Sequence, residues 1–226
     1  YGGANPVFIK GSYGDTGVAE SISYNATTTG TYYVRVYGYP FGNGSFSSTT
    51  SYGLTVAITT TSGVASVSAG YNNTMFVRTD RTLWAVGYNG QGQLGDGTTT
   101  ERSTPVQVAS AVASVAAGNA NSSAHTMFVK TDGTLWAVGY NVAGRLGDGT
   151  TTGRSTPVHV ANGLASVAVG LYYTVFVKTD GTLWGMGINS VGQLGDGTTS
   201  SRSTPVQVAS GVASVSAGGH HTMIVK

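Results

Sequence analysis

Nine carboxylates and four histidines are the groups with which this chain of 226 residues could move a proton or hold a metal. Six of the carboxylates recur at fixed places. Asp80, Asp132 and Asp180 each lie two residues before a Thr-Leu-Trp motif, and Asp96, Asp148 and Asp196 each follow a Gly-x-Leu-Gly motif. A carboxylate required by every copy of a unit is better suited to capping a turn through the local backbone than to catalysis. Asp15, Glu20 and Glu101 remain, and they form no acid and base pair. Gly90-Gln-Gly-Gln-Leu-Gly95 spells a dinucleotide fingerprint, but its copies read Asn141-Val-Ala-Gly-Arg-Leu-Gly147 and Asn189-Ser-Val-Gly-Gln-Leu-Gly195, and no helix is predicted after it. It is therefore not read as a cofactor site. His220 and His221 are adjacent, so on a strand they point to opposite faces, and no third ligand accompanies them. The chain is expected to be non-enzymatic, with no cofactor and no metal.

The elements that position these groups are written several times over. Val64-Ala-Ser-Val-Ser-Ala-Gly70 returns at 112–118, 164–170 and 212–218, and Thr82-Leu-Trp-Ala-Val-Gly87 returns at 134–139 and 182–187. Arg102-Ser-Thr-Pro-Val-Gln-Val108 returns at 154–160 and 202–208. The interval between copies is 48 residues twice and 52 once. A fixed period in this range marks a repeat architecture whose units bury their apolar faces only against their neighbours. Specific function must then lie in what differs between copies.

Composition narrows the class. Only 9% of residues are charged, the net charge is +2, and Ser and Thr make up about a quarter of the chain. The isolated Lys and Arg form no basic stripe, so nucleic acid is not an expected partner. The absence of cysteine excludes disulfides and thiolate zinc sites. No apolar run approaches the roughly 18 residues of a membrane span. No signal peptide is visible, and a chain that opens at Tyr1 without a Met is compatible with a leader already removed.

Residues 1–58 lie outside the repeat. Tyr32, Val34 and Val36, and later Tyr52, Leu54, Val56 and Ile58, alternate with other residues in the period of two that predicts half-buried strands. Glu20-Ser-Ile-Ser-Tyr24, Gly30-Thr-Tyr-Tyr-Val-Arg-Val36 and Tyr52-Gly-Leu-Thr-Val56 resemble the second half of the bacterial pre-peptidase C-terminal domain. That resemblance implies a small secreted β-sandwich, here incomplete, appended to exported proteins as an accessory module. An open sandwich edge also invites strand addition or exchange with another chain. Residues 59–63 read as a polar linker.

Each repeat reads as four strands, in the first copy 64–68, 74–78, 83–87 and 105–108, with a tight turn at Asp80 and a long glycine loop over 90–99. Four antiparallel strands in a unit of this length describe a propeller blade. Gly92-Gln-Leu-Gly95, Gly144-Arg-Leu-Gly147 and Gly192-Gln-Leu-Gly195, with His125-Thr126, His221-Thr222, Asp132-Gly133 and Asp180-Gly181, resemble the regulator-of-chromosome-condensation type repeat. The resemblance implies a seven-bladed propeller and a packing role for His125 and His221. Asn73 and Tyr173 stand where that His is expected, and Arg81 where the turn Gly is expected. The insertions behind nucleotide exchange in the founding member are absent, so that activity is not carried over.

The expected fold is all-β: a partial β-propeller of three four-stranded blades (64–111, 112–163 and 164–211) and half a blade (212–226), preceded by an incomplete β-sandwich. Asp96 and Arg102, with their equivalents, are spaced to pair across the glycine loop, either as a pair built into the loop or as a solvated surface ion pair. Asn25, Asn43, Asn72 and Asn121 head sequons at about the frequency chance allows in so Ser- and Thr-rich a chain. The loop joining the first two strands varies most between copies, and topology puts it on the same rim as the glycine loop. Tyr71, Asn72, Asn121, His125, Tyr172, Tyr173, His220 and His221 are its candidate binding residues. Tyr, Asn and His are suited to recognition at low entropic cost.

The expected function is an extracellular or cell-surface scaffold that binds a protein partner or further copies of itself. Two alternatives stand beside it: a subunit of a self-assembling extracellular filament or surface layer, and the accessory region of a larger secreted hydrolase.

Overall fold

A computed structural model describes residues 63–118 and 124–226. The expected sandwich over 1–58, nearly all of the linker and Asn121 lie outside the described residues. Among the described residues there are fourteen strands: β1 Val64–Ala69, β2 Asn73–Arg78, β3 Leu83–Gly87, β4 Arg102–Ala109, β5 Val112–Ala117, β6 His125–Lys130, β7 Leu135–Gly139, β8 Arg154–Ala161, β9 Leu164–Val169, β10 Tyr173–Lys178, β11 Leu183–Gly187, β12 Arg202–Ala209, β13 Ser214–Ala217 and β14 Thr222–Val225. Among the described residues there is no α-helix, only a short 3-10 turn at Val142–Gly144. The strands form three antiparallel four-stranded sheets in simple up-and-down order, β1 to β4, β5 to β8 and β9 to β12, and a pair, β13 and β14.

The local sequence explains each sheet. The second strand of each complete blade, such as Met127-Phe-Val129 in β6, is buried on both sides, which its run of large apolar residues requires. Residues on one face of a blade meet the opposite face of the next. Met75, Leu83 and Leu94 of the first blade pack with Val112 and Phe128 of the second, and Met127, Leu135 and Leu146 pack with Phe176 and Met186 of the third. Each such fully buried side chain contributes roughly 1.5–3 kcal/mol relative to exposure. The core is therefore a series of seams between blades, as expected for a repeat architecture.

The fourth strands are longer than spacing predicts. β4 begins at Arg102 because Gly87 pairs with it beyond a register shift after Ala85, and β8 and β12 repeat the arrangement. The tight turn after each second strand needs a left-handed residue, supplied by Gly133 and Gly181 at φ 77° in both cases and by Arg81 at φ 65°.

The glycine loops turn out to be clasps between blades. The Gly97 amide donates to the Ser155 carbonyl of the next blade at 2.9 Å, and Gly149 donates to Ser203 at the same distance. A Cβ placed on Gly92 would lie 2.6 Å from the Ser155 Cα, so no side chain is tolerated at that crossing. The Thr126 hydroxyl donates to the Gln93 carbonyl at 2.9 Å, Thr174 to Arg145 at 3.1 Å and Thr222 to Gln193 at 2.7 Å. One rule thus joins every loop to the second strand of the blade that follows.

Candidate functional site: a loop rim across the blades

The loop after each first strand is tied to the start of each glycine loop. Tyr88 N donates to the Asn72 carbonyl at 2.8 Å, Tyr140 N to Ala124 at 3.0 Å and Ile188 N to Tyr172 at 3.0 Å. Both sets of loops therefore lie on one rim. Along it Tyr71 is 42% exposed, Asn72, His220 and His221 are exposed, and Tyr172 is half-buried.

Two of the expected binding residues are not accessible on this rim. His125 and Tyr173 are each fully buried, because the first residue of a second strand points into the seam with the next blade. His125 Nε2 lies 2.9 Å from the Thr174 hydroxyl, and the Tyr173 hydroxyl donates to the His221 carbonyl at 2.5 Å. Glycines at 118 and 170 leave the room these rings fill. Burial, reinforced by the charge of Arg145, holds the His125 pKa well below the ordinary histidine value, and burial raises that of Tyr173. His221, in the corresponding position of the half blade, is exposed instead.

Tyr172 and His220 are brought together, with ring centroids 6.2 Å apart. Two further residues join them that spacing alone did not single out. The Arg145 guanidinium lies 4.8 Å from the Tyr140 ring and 5.0 Å from the Tyr172 ring, in the range of cation–π attraction. It also donates from Nε and Nη2 to the Val142 carbonyl, at 3.2 and 3.1 Å. Arg145 is only 1% exposed, and burial, partly offset by the two tyrosines, pulls its pKa down to about 10. The available signal was the Arg that replaces Gln in one Gly-x-Leu-Gly copy. Val142 and Val191, 49% and 65% exposed, add apolar surface at the glycine-loop tips.

The repeated carboxylates are all engaged locally. Asp96, Asp148 and Asp196 pair with Arg102, Arg154 and Arg202 at 2.5, 2.6 and 2.7 Å, and each carboxylate side chain is only 3% exposed. The pair expected across the loop is formed, with its carboxylate sheltered from solvent and its Arg side chain partly exposed. Burial alone would raise the Asp96 pKa, but bonds from Thr98, Arg102 and Asn89 outweigh it and lower the value, and Asp148 follows the same pattern. Asp196 is lowered chiefly by Thr198. Asn89 organises the first loop: its Nδ2 donates to Asp96 Oδ1 at 3.0 Å and to the Thr98 carbonyl at 3.1 Å, while its Oδ1 accepts from Leu94 N at 3.0 Å.

Asp80, Asp132 and Asp180 accept from the hydroxyls of Thr82, Thr134 and Thr182 at 2.6 Å, and those oxygens accept in turn from the Trp84, Trp136 and Trp184 indoles at 2.9 Å. A cation covers each indole ring: Arg78 at 3.9 Å, Lys130 at 4.3 Å and Lys178 at 4.4 Å. Among the described residues no group of three His, Asp or Glu converges as a metal site, and no helix is long and apolar enough to cross a membrane.

Models of the regulator of chromosome condensation (RCC1) repeat match residues 81–128, 132–177 and 180–225, and a second model of the repeat matches 64–93 and 164–193. Among solved structures the chain is similar to that of human WBSCR16, at 23% identity and TM-score 0.66 over 76% of this chain and 48% of the other. It is also similar to a chain in the crystal structure of Kap60 bound to yeast RCC1 (Prp20), at 20% identity and TM-score 0.65 over 76% of this chain and 43% of the other. A third match is Prp20p from Saccharomyces cerevisiae, at 20% identity and TM-score 0.60 over 71% and 43%. These likenesses are of fold, and this chain spans less than half of each of those chains. With matches to the repeat that together span more than half of its residues, the chain belongs to the regulator of chromosome condensation (RCC1) repeat family.

Proposed function

We propose that this chain is a non-catalytic propeller scaffold that binds a protein partner through the rim carrying Tyr71, Asn72, Tyr172 and His220. The observation that carries the reading is a division of labour. The repeated Asp, Thr, Asn and Arg side chains of the three complete blades are engaged with one another and with the Trp indoles, in the Asp–Thr–Trp and Asn–Asp–Arg networks. Among the side chains that differ between copies, Tyr71, Asn72 and His220 are exposed and Tyr172 is half-buried, with the aromatic and amide character of recognition surfaces. A structural neighbour, Prp20p, has binding properties to Gsp1p and histones. The rim here is nearly uncharged, so its partner is held by aromatic and hydrogen-bonding contacts and only weakly by salt-sensitive attraction. The same reading puts the protein outside the cell, supported by its low charge and by the secreted-module resemblance of residues 1–58.

The test is to immobilise the chain beside a variant carrying Tyr71→Ser, Asn72→Ser, Tyr172→Ser and His220→Ser, and to compare what each retains from secreted and cell fractions of the source. A protein held by the parent and lost from an equally stable variant supports the reading. Equal retention by both removes the rim from it.

A further inference from the structure

We propose that the junction between the first and second blades is a built-in weak seam, the point at which the chain opens before it unfolds as a whole. The proposal does not depend on the binding reading, because it rests on the three equivalent junctions compared with one another.

At the second and third junctions the first residue of the second strand bonds across to the next blade. His125 reaches the Thr174 hydroxyl at 2.9 Å. Tyr173 donates to the His221 carbonyl at 2.5 Å. At the first junction the same position holds Asn73, which is only 5% exposed, and neither its Oδ1 nor its Nδ2 has a partner. An amide is shorter than an imidazole or a phenol, so Asn73 makes no bond across the seam and leaves two desolvated polar atoms there, against one, His125 Nδ1, at the second junction.

Backbone strain falls at the same place. A carbonyl in the turn of each complete blade accepts from the chain entering the next: Arg81 O accepts from Val112 N, Gly133 O from Leu164 N and Gly181 O from Val212 N. Only the first of these left-handed residues carries a side chain, Arg81 at φ 65°. The linker between blades repeats the contrast, with Ala111 at φ 56° where the later linkers have Gly163 at 73° and Gly211 at 67°. A residue with a Cβ is disfavoured in this region, whereas glycine is not. Missing bond, orphaned amide and two of the three left-handed non-glycine residues among the described residues thus coincide at one junction, the third, Ala143 at φ 65°, lying in the glycine loop of the second blade. The first seam keeps the Thr126 and Gly97 bonds that its successor also has. It adds one bond of its own, from Ala117 N to the Ser68 hydroxyl at 2.9 Å. Opening here separates Met75, Leu83 and Leu94 from Phe128 and exposes an apolar face backed by Val115 and Trp136.

Hydrogen exchange of the whole chain, read by mass spectrometry, tests this. Protection in β2 and β3 is expected to fall at least about tenfold below protection in β6 and β7, as for a sub-global opening. The triple variant Asn73→His, Arg81→Gly and Ala111→Gly is expected to close that gap. Asn73→Ala alone, which deletes the orphaned atoms without requiring a new ring to fit, is expected to narrow it. Equal protection of the two blades in the parent chain overturns the proposal. So does a triple variant that folds and leaves the ratio unchanged.

Discussion

His125 of the second blade and Thr174 of the third meet at 2.9 Å, and the partners of that hydroxyl decide the proton. Thr174 gives its hydrogen to the Arg145 carbonyl, so it accepts from His125, whose Nε2 carries a hydrogen. Protonation would add a second hydrogen at Nδ1, a buried atom with no partner, so the charged ring is destabilising here although the bond to Thr174 is kept.

Stability should therefore fall on mild acidification. The folded-state pKa of His125 is depressed by burial and by Arg145, so below the ordinary histidine value, about 6.5, the unfolded chain binds the proton more readily. The contribution is fully present above that pH and is lost as pH drops through and below it. Urea melts between pH 8 and pH 5 should show this slope, and His125→Gln should flatten it.

A second loss is expected in stronger acid. Asp96 and Asp148 have lowered folded-state values because hydrogen bonds from Thr, Arg and Asn outweigh their burial. Their contribution is present above the unfolded carboxylate value, about 3.9, and disappears as pH falls below it. At neutral pH, Asp148→Ala should cost about 2–3 kcal/mol, since it strands Asn141 and Arg154. Denaturant midpoints at fixed slope would measure it.

Glycines of the clasps should differ by their surroundings. Gly144→Ala forces a Cβ against the Ser203 backbone of the next blade and should cost at least about 3 kcal/mol. Gly197→Ala at φ 77° meets nothing within 4 Å and should cost only about 1 kcal/mol. Parallel urea titrations of the two variants distinguish contact from conformational cost.

Tyr173→Phe removes the donor to the His221 carbonyl while keeping the ring that fills the space beside Gly170. The expected loss is about 1 kcal/mol. It should be confined to β13 and β14, where hydrogen exchange would quicken without a change in the first blade.

Much of this protein could be read from local sequence, because its repeats report each element several times. Strand order, the Asp turns, the glycine loops and the family resemblance rest on period and residue type, which act over a few residues. The alternation of apolar residues in Met75-Phe-Val77 already implies opposed faces, and the seams bury both. Tertiary structure alone decided which polar residues stay available. Spacing could not tell that β4 starts at Arg102, that Asp96 and Arg102 pair, or that the glycine loops clasp the next blade. Nor could it separate Tyr172 from its neighbour Tyr173. Both are tyrosines in a variable loop, but one partly faces solvent and the other points into a seam. That outcome depends on how one blade leans on the next, a relation between residues about 48 positions apart, which no local pattern encodes.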